Sequence, residues 1–312
     1  MSHFEAMADA YSQAGGDPQL LVLPTVASVV ISGNKVLSAH AVPGVEFAAE
    51  EQPNGVKASI RVLPRTRLAT PVHLCFGVLP ERGLQEITAS YDVGEDADVT
   101  FQAHCTFPNA VEVRHVMDAT MRIGRGAVLR YTETHFHGPA GGVEVLPTAR
   151  VVVEKGGQFV TTFNLIKGRA GTVSLDYVVD VAENGIAELT TRILGSGQDR
   201  IKVAETIRLN GTAARGLAKA RLALAGDARG EVIGTTEGNA PETRGHIDCV
   251  EIVRDRAVAS AIPIVRVTDP QAQVTHEAAI GTVNRKELET LMARGLGEEA
   301  AVDAIVRGML AG

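Results

Sequence analysis

From Leu20 onward the chain alternates apolar and polar positions in short runs: LLVLPTVASVVISG, then NKVLSAHAVPGVEFAAEEQPNGVKASIRVLP, broken at Ser32-Gly33-Asn34 and Asn54-Gly55. Period-two alternation bounded by turn residues marks half-buried strands. Between residues 70 and 240 a glycine-containing corner recurs before such a strand, at Gly124-Arg125-Gly126, Lys155-Gly156-Gly157, Glu183-Asn184-Gly185 and Gly226-Asp227. A corner spacing of about 30 residues fits one coil of a parallel β-helix made of several strands of about six residues, with glycine permitting a left-handed bend. A β-sandwich also gives short alternating strands, but the period favours the solenoid.

Helical spacing is confined to the ends. Residues 3–14 place Phe4, Met7 and Tyr11 on one face and read as a weakly held N-terminal cover. Near the other end Asn284 and Glu287 form a capping pair ahead of Leu288, Leu291 and Met292. Glu298 and Glu299 then open a second helix lined by Val302, Ile305, Val306 and Met309. The expected organisation is an N-terminal helical segment (1–19), a mainly β core (20–283) and a C-terminal helical segment (284–312). So small a helical pair must dock on the β core, on a partner, or on both.

Composition narrows this picture. No tryptophan, 4% aromatic residues and 32 glycines suit a narrow interior filled by Val, Ile, Leu and Ala. The net charge of -7 gives no reason to expect nucleic acid. Cys75, Cys105 and Cys249 share no short spacing, which excludes a disulfide framework or CxxC motif and suits a reducing cytoplasm. Neither a secretory signal nor an apolar run of about 18 residues is present, so no membrane span is expected. Phosphate-cradling glycine motifs and a GxSxG elbow are also missing, so ATP is not expected to be hydrolysed by this chain.

Two stretches carry candidate chemistry. Cys249 is followed 27 residues later by His276 and Glu277, and thiolate, imidazole and carboxylate are iron-ligating groups. One cysteine cannot hold a cluster alone, so other side chains or a second subunit must complete such a site. His276 and Glu277 are adjacent and fall on opposite sides of an extended strand. They serve one site only if the backbone bends or each addresses a different side of an interface. His246 is a weaker candidate nearby. The second stretch is RYTETHFHG, where Glu133, His135 and His137 share one face of a strand, a pattern that grips transition metals. Its bland alternative is a solvated polar face. Cys105, His104 and His115 join it if coils stack in register. HxH also raises a cupin-like metalloenzyme as an alternative, with Glu144 as a further ligand, and an inert solenoid that only recruits partners is a third reading.

The region from Arg244 to the C-terminus resembles the core of the SufB/SufD family of iron-sulfur cluster assembly scaffolds. The resemblance is carried by Cys249 on its strand, by Pro263-Ile264-Val265-Arg266-Val267-Thr268-Asp269-Pro270, by His276-Glu277-Ala278-Ala279-Ile280-Gly281 and by Leu288-Glu289-Thr290-Leu291. It implies a right-handed parallel β-helix, with Cys249 needed for cluster building and His276 and Glu277 at a subunit interface. It also implies terminal helices that bind a SufC-like ABC-type ATPase. The expectation is a compact, non-catalytic cytoplasmic scaffold, a homodimer that holds an iron-sulfur cluster transiently and passes it to recipient apoproteins.

Overall fold

The computed structural model describes residues 2–311. Met1 and Gly312, the outermost residues of the expected terminal segments, lie outside the described residues. Helix α1 (His3–Gln13) is followed by β1 (Ser28–Ser32), β2 (Lys35–His40), β3 (Val45–Gln52), β4 (Gly55–Val62) and β5 (Val72–Gly77). The long strands come next: β6 (Arg82–Val93), β7 (Asp98–Phe107), β8 (Glu112–Ile123), β9 (Val128–His137), β10 (Val143–Val153), β11 (Gln158–Lys167) and β12 (Thr172–Val181). The series continues with β13 (Ile186–Gly195), β14 (Arg200–Leu209), β15 (Arg215–Leu224), β16 (Arg229–Gly238), β17 (Arg244–Val253), β18 (Val258–Val267) and β19 (Gln273–Gly281). Helices α2 (Arg285–Ala293) and α3 (Glu298–Ala311) close the described chain.

The strands form a parallel β-solenoid of about eight turns. From β5 on, odd-numbered strands stack in one sheet and even-numbered strands in the other. Val143 lies opposite Val113, Arg200 opposite Thr172 and Arg229 opposite Arg200, so a coil takes 30, 28 or 29 residues. Each coil contributes two strands of about ten residues, longer and fewer than the several six-residue strands expected. The sandwich alternative fails because these ladders are parallel.

Every second residue points into the space between the sheets, giving one continuous core that runs from Val29 and Ile31 to Ile247 and Cys249. The turns after β6, β8, β10, β12, β14 and β16 repeat one left-handed residue per coil: Asp96, Gly126, Gly156, Asn184, Ala213 and Glu242. All but Glu242 are held by the next coil, as in Gly126 N–H to the Lys155 carbonyl and Gly156 N–H to that of Glu183. Outward-facing charges form ladders between coils; Arg122 reaches Asp92 at 2.6 Å and Glu154 at 2.9 Å. Such exposed pairs contribute about 0–1 kcal/mol each.

The two ends differ. At the N-terminal end the antiparallel partners β2 and β3 border the sheets. Helix α1 packs on the outer face of the β1/β5 region, with Met7 and Tyr11 at 0% exposure against Val30 and Cys75. The Tyr11 hydroxyl is 2.7 Å from His73 Nδ1, and its ring lies edge-on to His104, 4.5 Å between centroids. The cover is therefore firmly seated, not weakly held, because it buries an aromatic ring with a partner for its hydroxyl. At the C-terminal end β18 and β19 have no strand beyond them among the described residues, and their side chains are half-buried or exposed throughout.

Candidate functional site

Strand β17 fixes the first candidate. Its burial alternates, so Gly245, Ile247, Cys249 and Glu251 face the core while His246 and Asp248 face outward. In the ladder to β19, Ile247 lies opposite His276, Asp248 opposite Glu277 and Cys249 opposite Ala278. Paired residues in a parallel ladder share a face. His276 therefore belongs to the same inner face as Cys249, one strand on and one inward position displaced. Glu277 belongs to the outer face, above the Asp248 that Arg221 holds in an ion pair. The opposite-sides geometry expected of the His-Glu pair is what the strand adopts. His276 and Glu277 are both exposed, whereas Cys249 is 1% exposed. His246 also faces outward, its Nδ1 2.7 Å from the Thr275 hydroxyl.

The environment of Cys249 is not simply apolar. The inward residues of these coils include Glu205, Thr236 and Glu251, all buried. Glu205 Oε1 accepts the Thr191 hydroxyl at 2.7 Å; both Glu251 carboxylate oxygens and the Thr236 hydroxyl lack a partner among the described residues. Burial raises the Glu205 and Glu251 carboxyls to about 7. Burial, with the charges of Glu251 and Glu205 behind it, pushes the Cys249 thiol up to about 12. In this closed arrangement Cys249 is a thiol, and a cation beside it would favour the thiolate. Glu251 also lines a groove with Val250, Ile280, Asn284, Ile305 and Met309, between the last strands and α2/α3. Sequence reasoning passed over Glu205 and Glu251. The available signal was parity, since Glu251 shares that of Ile247 and Cys249.

The second candidate lies in the middle coils. Glu133, His135 and His137 face inward and are 1–2% exposed, so the solvated-face reading is wrong. Arg130, Thr132 and Thr134 occupy the solvent side, which leaves the acid and imidazoles to the lumen. Register sets Cys105 beside His135. One ligand atom each from Cys105, Glu133 and His135 falls within 4.8 Å of the others. Glu133 Oε1 is 2.7 Å from His135 Nε2, and the Cys105 thiol donates to the same oxygen at 3.9 Å. His137 is turned elsewhere: its Nδ1 donates to the Arg169 carbonyl at 3.0 Å, and its Nε2 meets His135 Nδ1 at 3.3 Å. His115, from the opposite sheet, stands 6.2 Å from His135 between ring centroids. His104 does not join them; it faces the other way, under α1. Burial lowers His115 and His137 to about 3 and raises the Cys105 thiol well above its ordinary value.

The cupin-like alternative is overturned by the fold. His135 and His137 sit on a strand stacked in a parallel solenoid, and Glu144 lies on the outside, 3.2 Å from Arg114. Among the described residues no helix is long and apolar enough to cross a membrane.

A parallel β-solenoid with thiol, imidazole and carboxylate side chains turned into its lumen defines a class of solenoid with transition-metal donors inside. Comparison with known proteins narrows the class. Residues 88–309 match the family described as SUF system FeS cluster assembly, SufBD core domain. An iron-sulfur cluster assembly SufBD family protein of Methanocaldococcus jannaschii is 35% identical over 97% of this chain and 96% of its own length. One from Pyrococcus horikoshii is 32% identical over 99% and 94%. The iron-sulfur cluster assembly protein SufB of Bacillus subtilis is 25% identical over 78% of this chain and 53% of its own. The chain belongs to the SufBD family of the SUF iron-sulfur cluster assembly system.

Proposed function

We propose that two copies of this chain pair through their open C-terminal coils and assemble an iron-sulfur cluster at the seam. Cys249 and His276 of both copies would supply the donors from the inner faces, and Glu277 would contribute from the outer side. The observation that carries this reading is the unfinished end of the solenoid. Val265 and Val267 are paired with the inward residues Thr236 and Gly238, yet they are 37% and 46% exposed. His276 is exposed on the same unfinished core, one strand from Cys249. A second copy seated there would bury this apolar surface, at about 25 cal/mol per Å², and bring two sets of donors together across a two-fold axis.

The cluster is cargo: built on the pair, then passed to apoproteins, with no catalysis by this chain and a reducing cytoplasm as its setting. The closed position of Cys249 demands movement before iron and sulfide reach it. Helices α2 and α3 are the natural handle for a SufC-like ABC-type ATPase to supply that movement. No residue of α2 is buried, although Leu288, Leu291 and Met292 give it an apolar side. A chain ending at Val283 should keep its β core, read by circular dichroism, and lose co-purification with the ATPase; retained binding would remove the helices from this role.

The central test is anaerobic incubation with Fe²⁺ and sulfide. The wild-type chain should turn brown with thiolate-to-iron charge-transfer absorption. Cys249→Ala should remain folded and dimeric but take up no cluster, and an equal cluster yield from that variant would sink the proposal.

A further inference from the structure

The buried group in the middle coils has features that hydrogen bonding alone does not explain. Its proton arrangement follows from its partners. His137 Nδ1 gives its proton to the Arg169 carbonyl, so a neutral His137 has Nε2 as an acceptor. His135 Nδ1 then donates to that Nε2. The short contact between His135 Nε2 and Glu133 Oε1 needs one more proton, carried either by the imidazole or by the carboxyl. The Cys105 thiol brings another proton toward the same oxygen. Two dispensable protons thus sit among a sulfur, an oxygen and a nitrogen that lie within 4.8 Å of one another.

A second, independent observation comes from across the lumen. His115 is 0% exposed, and neither ring nitrogen has a hydrogen-bond partner among the described residues. A buried imidazole with both nitrogens unmet costs more than an apolar ring of the same size would. Its neighbours Phe107 and His135 lie 5.1 and 6.2 Å away between centroids, so an atom bound beside His135 would have His115 at hand.

The geometry points to a metal site inside the solenoid, separate from the C-terminal seam, in which Cys105, Glu133 and His135 bind one divalent transition ion of the Fe²⁺ or Zn²⁺ type and His115 completes its coordination. When the ion enters, the thiol proton and the proton shared by Glu133 and His135 leave. One thiolate and one carboxylate then offset the two positive charges, leaving a neutral assembly in a buried interior where net charge is costly. A mixed sulfur, nitrogen and oxygen set suits borderline ions and not Mg²⁺ or Ca²⁺, which take oxygen alone. His137, itself buried, borders a surface groove with Asp9, Leu79, Pro108, Asn109 and Gly138, so the cluster lies one side chain from that groove.

The test uses the full-length Cys249→Ala protein, purified without metal and titrated anaerobically with Co²⁺, so that the seam cysteine cannot contribute. One Co²⁺ per chain should bind, with a thiolate-to-cobalt band in the near ultraviolet and the intense visible bands of a four-coordinate ion. Adding Cys105→Ser should abolish the thiolate band and weaken binding at least ten-fold. Glu133→Gln should weaken binding by a similar factor while keeping the band at saturation. Cys105→Ala serves in place of the serine variant if the latter does not fold. Failure of folded Cys249→Ala to bind, or a thiolate band that survives loss of the Cys105 sulfur, would overturn the site. Either failure would leave the cluster-at-the-seam reading untouched, because that reading rests on Cys249.

Discussion

The two ends of the solenoid solve the same physical problem in opposite ways. A stack of parallel coils leaves an unpaired strand edge and an open slice of core at each end. At the N-terminal end the chain deals with its own edge: β2 and β3 turn back antiparallel, and α1 buries Met7 and Tyr11 completely. At the C-terminal end α2 and α3 do not cover the last coil, and Val265, Val267 and His276 remain exposed on what should be interior positions. On the proposed function, the difference separates an end that has only to be stable from one that receives another surface. The candidate seam residues lie at the second.

The contrast can be broken most severely at Val265. Val265→Asp should convert the proposed dimer to monomer at micromolar concentration, read by sedimentation. The unfolding free energy of the monomer should move by no more than about 0.5 kcal/mol, since the side chain is already partly exposed. Dimers that persist would put the interface elsewhere. The matched change at the closed end is Met7→Ala, for which we expect the reverse: an unchanged oligomeric state and a loss of roughly 2–5 kcal/mol of stability by chemical denaturation. A negligible loss would show that α1 is less tightly integrated than its burial implies.

Much of the architecture was legible in the sequence because the corners repeat. Gly126, Gly156 and Asn184 occupy the left-handed position of successive turns, and their spacing gives the coil length directly. The same turn also uses Asp96, Ala213 and Glu242. Stacked hydrogen bonds hold Asp96 and Ala213 in a conformation that costs roughly 1–2 kcal/mol per non-glycine residue, so glycine spacing reveals only part of the series. The site was less legible for a different reason. In β9 both faces carry polar residues, and alternation cannot say which face is inside when the inner one reads Tyr131, Glu133, His135, His137. Only the stacking of β7 on β9 joins Cys105 to His135 across 30 residues of sequence. Cys249, His276 and Glu277 were singled out by their ligand chemistry together with the family resemblance, whereas Glu251 needed only attention to parity.

Along the lumen itself the middle coils and the open end also differ, with a more modest expected effect. In the middle coils Glu133 is matched by an imidazole and a thiol; toward the open end Glu205 is matched only by the hydroxyl of Thr191. Burial therefore raises Glu205 from 4.5 to about 7. The native state holds its proton more tightly than the unfolded chain does, so the sign of the linkage is fixed. Stability should fall as pH rises between about 4.5 and about 7, and the full penalty, roughly 3 kcal/mol by the free-energy equivalent of such a shift, should be present at pH 8. Glu205→Gln keeps an oxygen for the Thr191 hydroxyl and removes the ionisation. Denaturant midpoints for the variant and the wild type should nearly coincide near pH 4 and diverge toward pH 8, with the variant the more stable. Parallel pH profiles would mean that Glu205 ionises without penalty, and that this stretch of lumen, so close to the open end, is already wet.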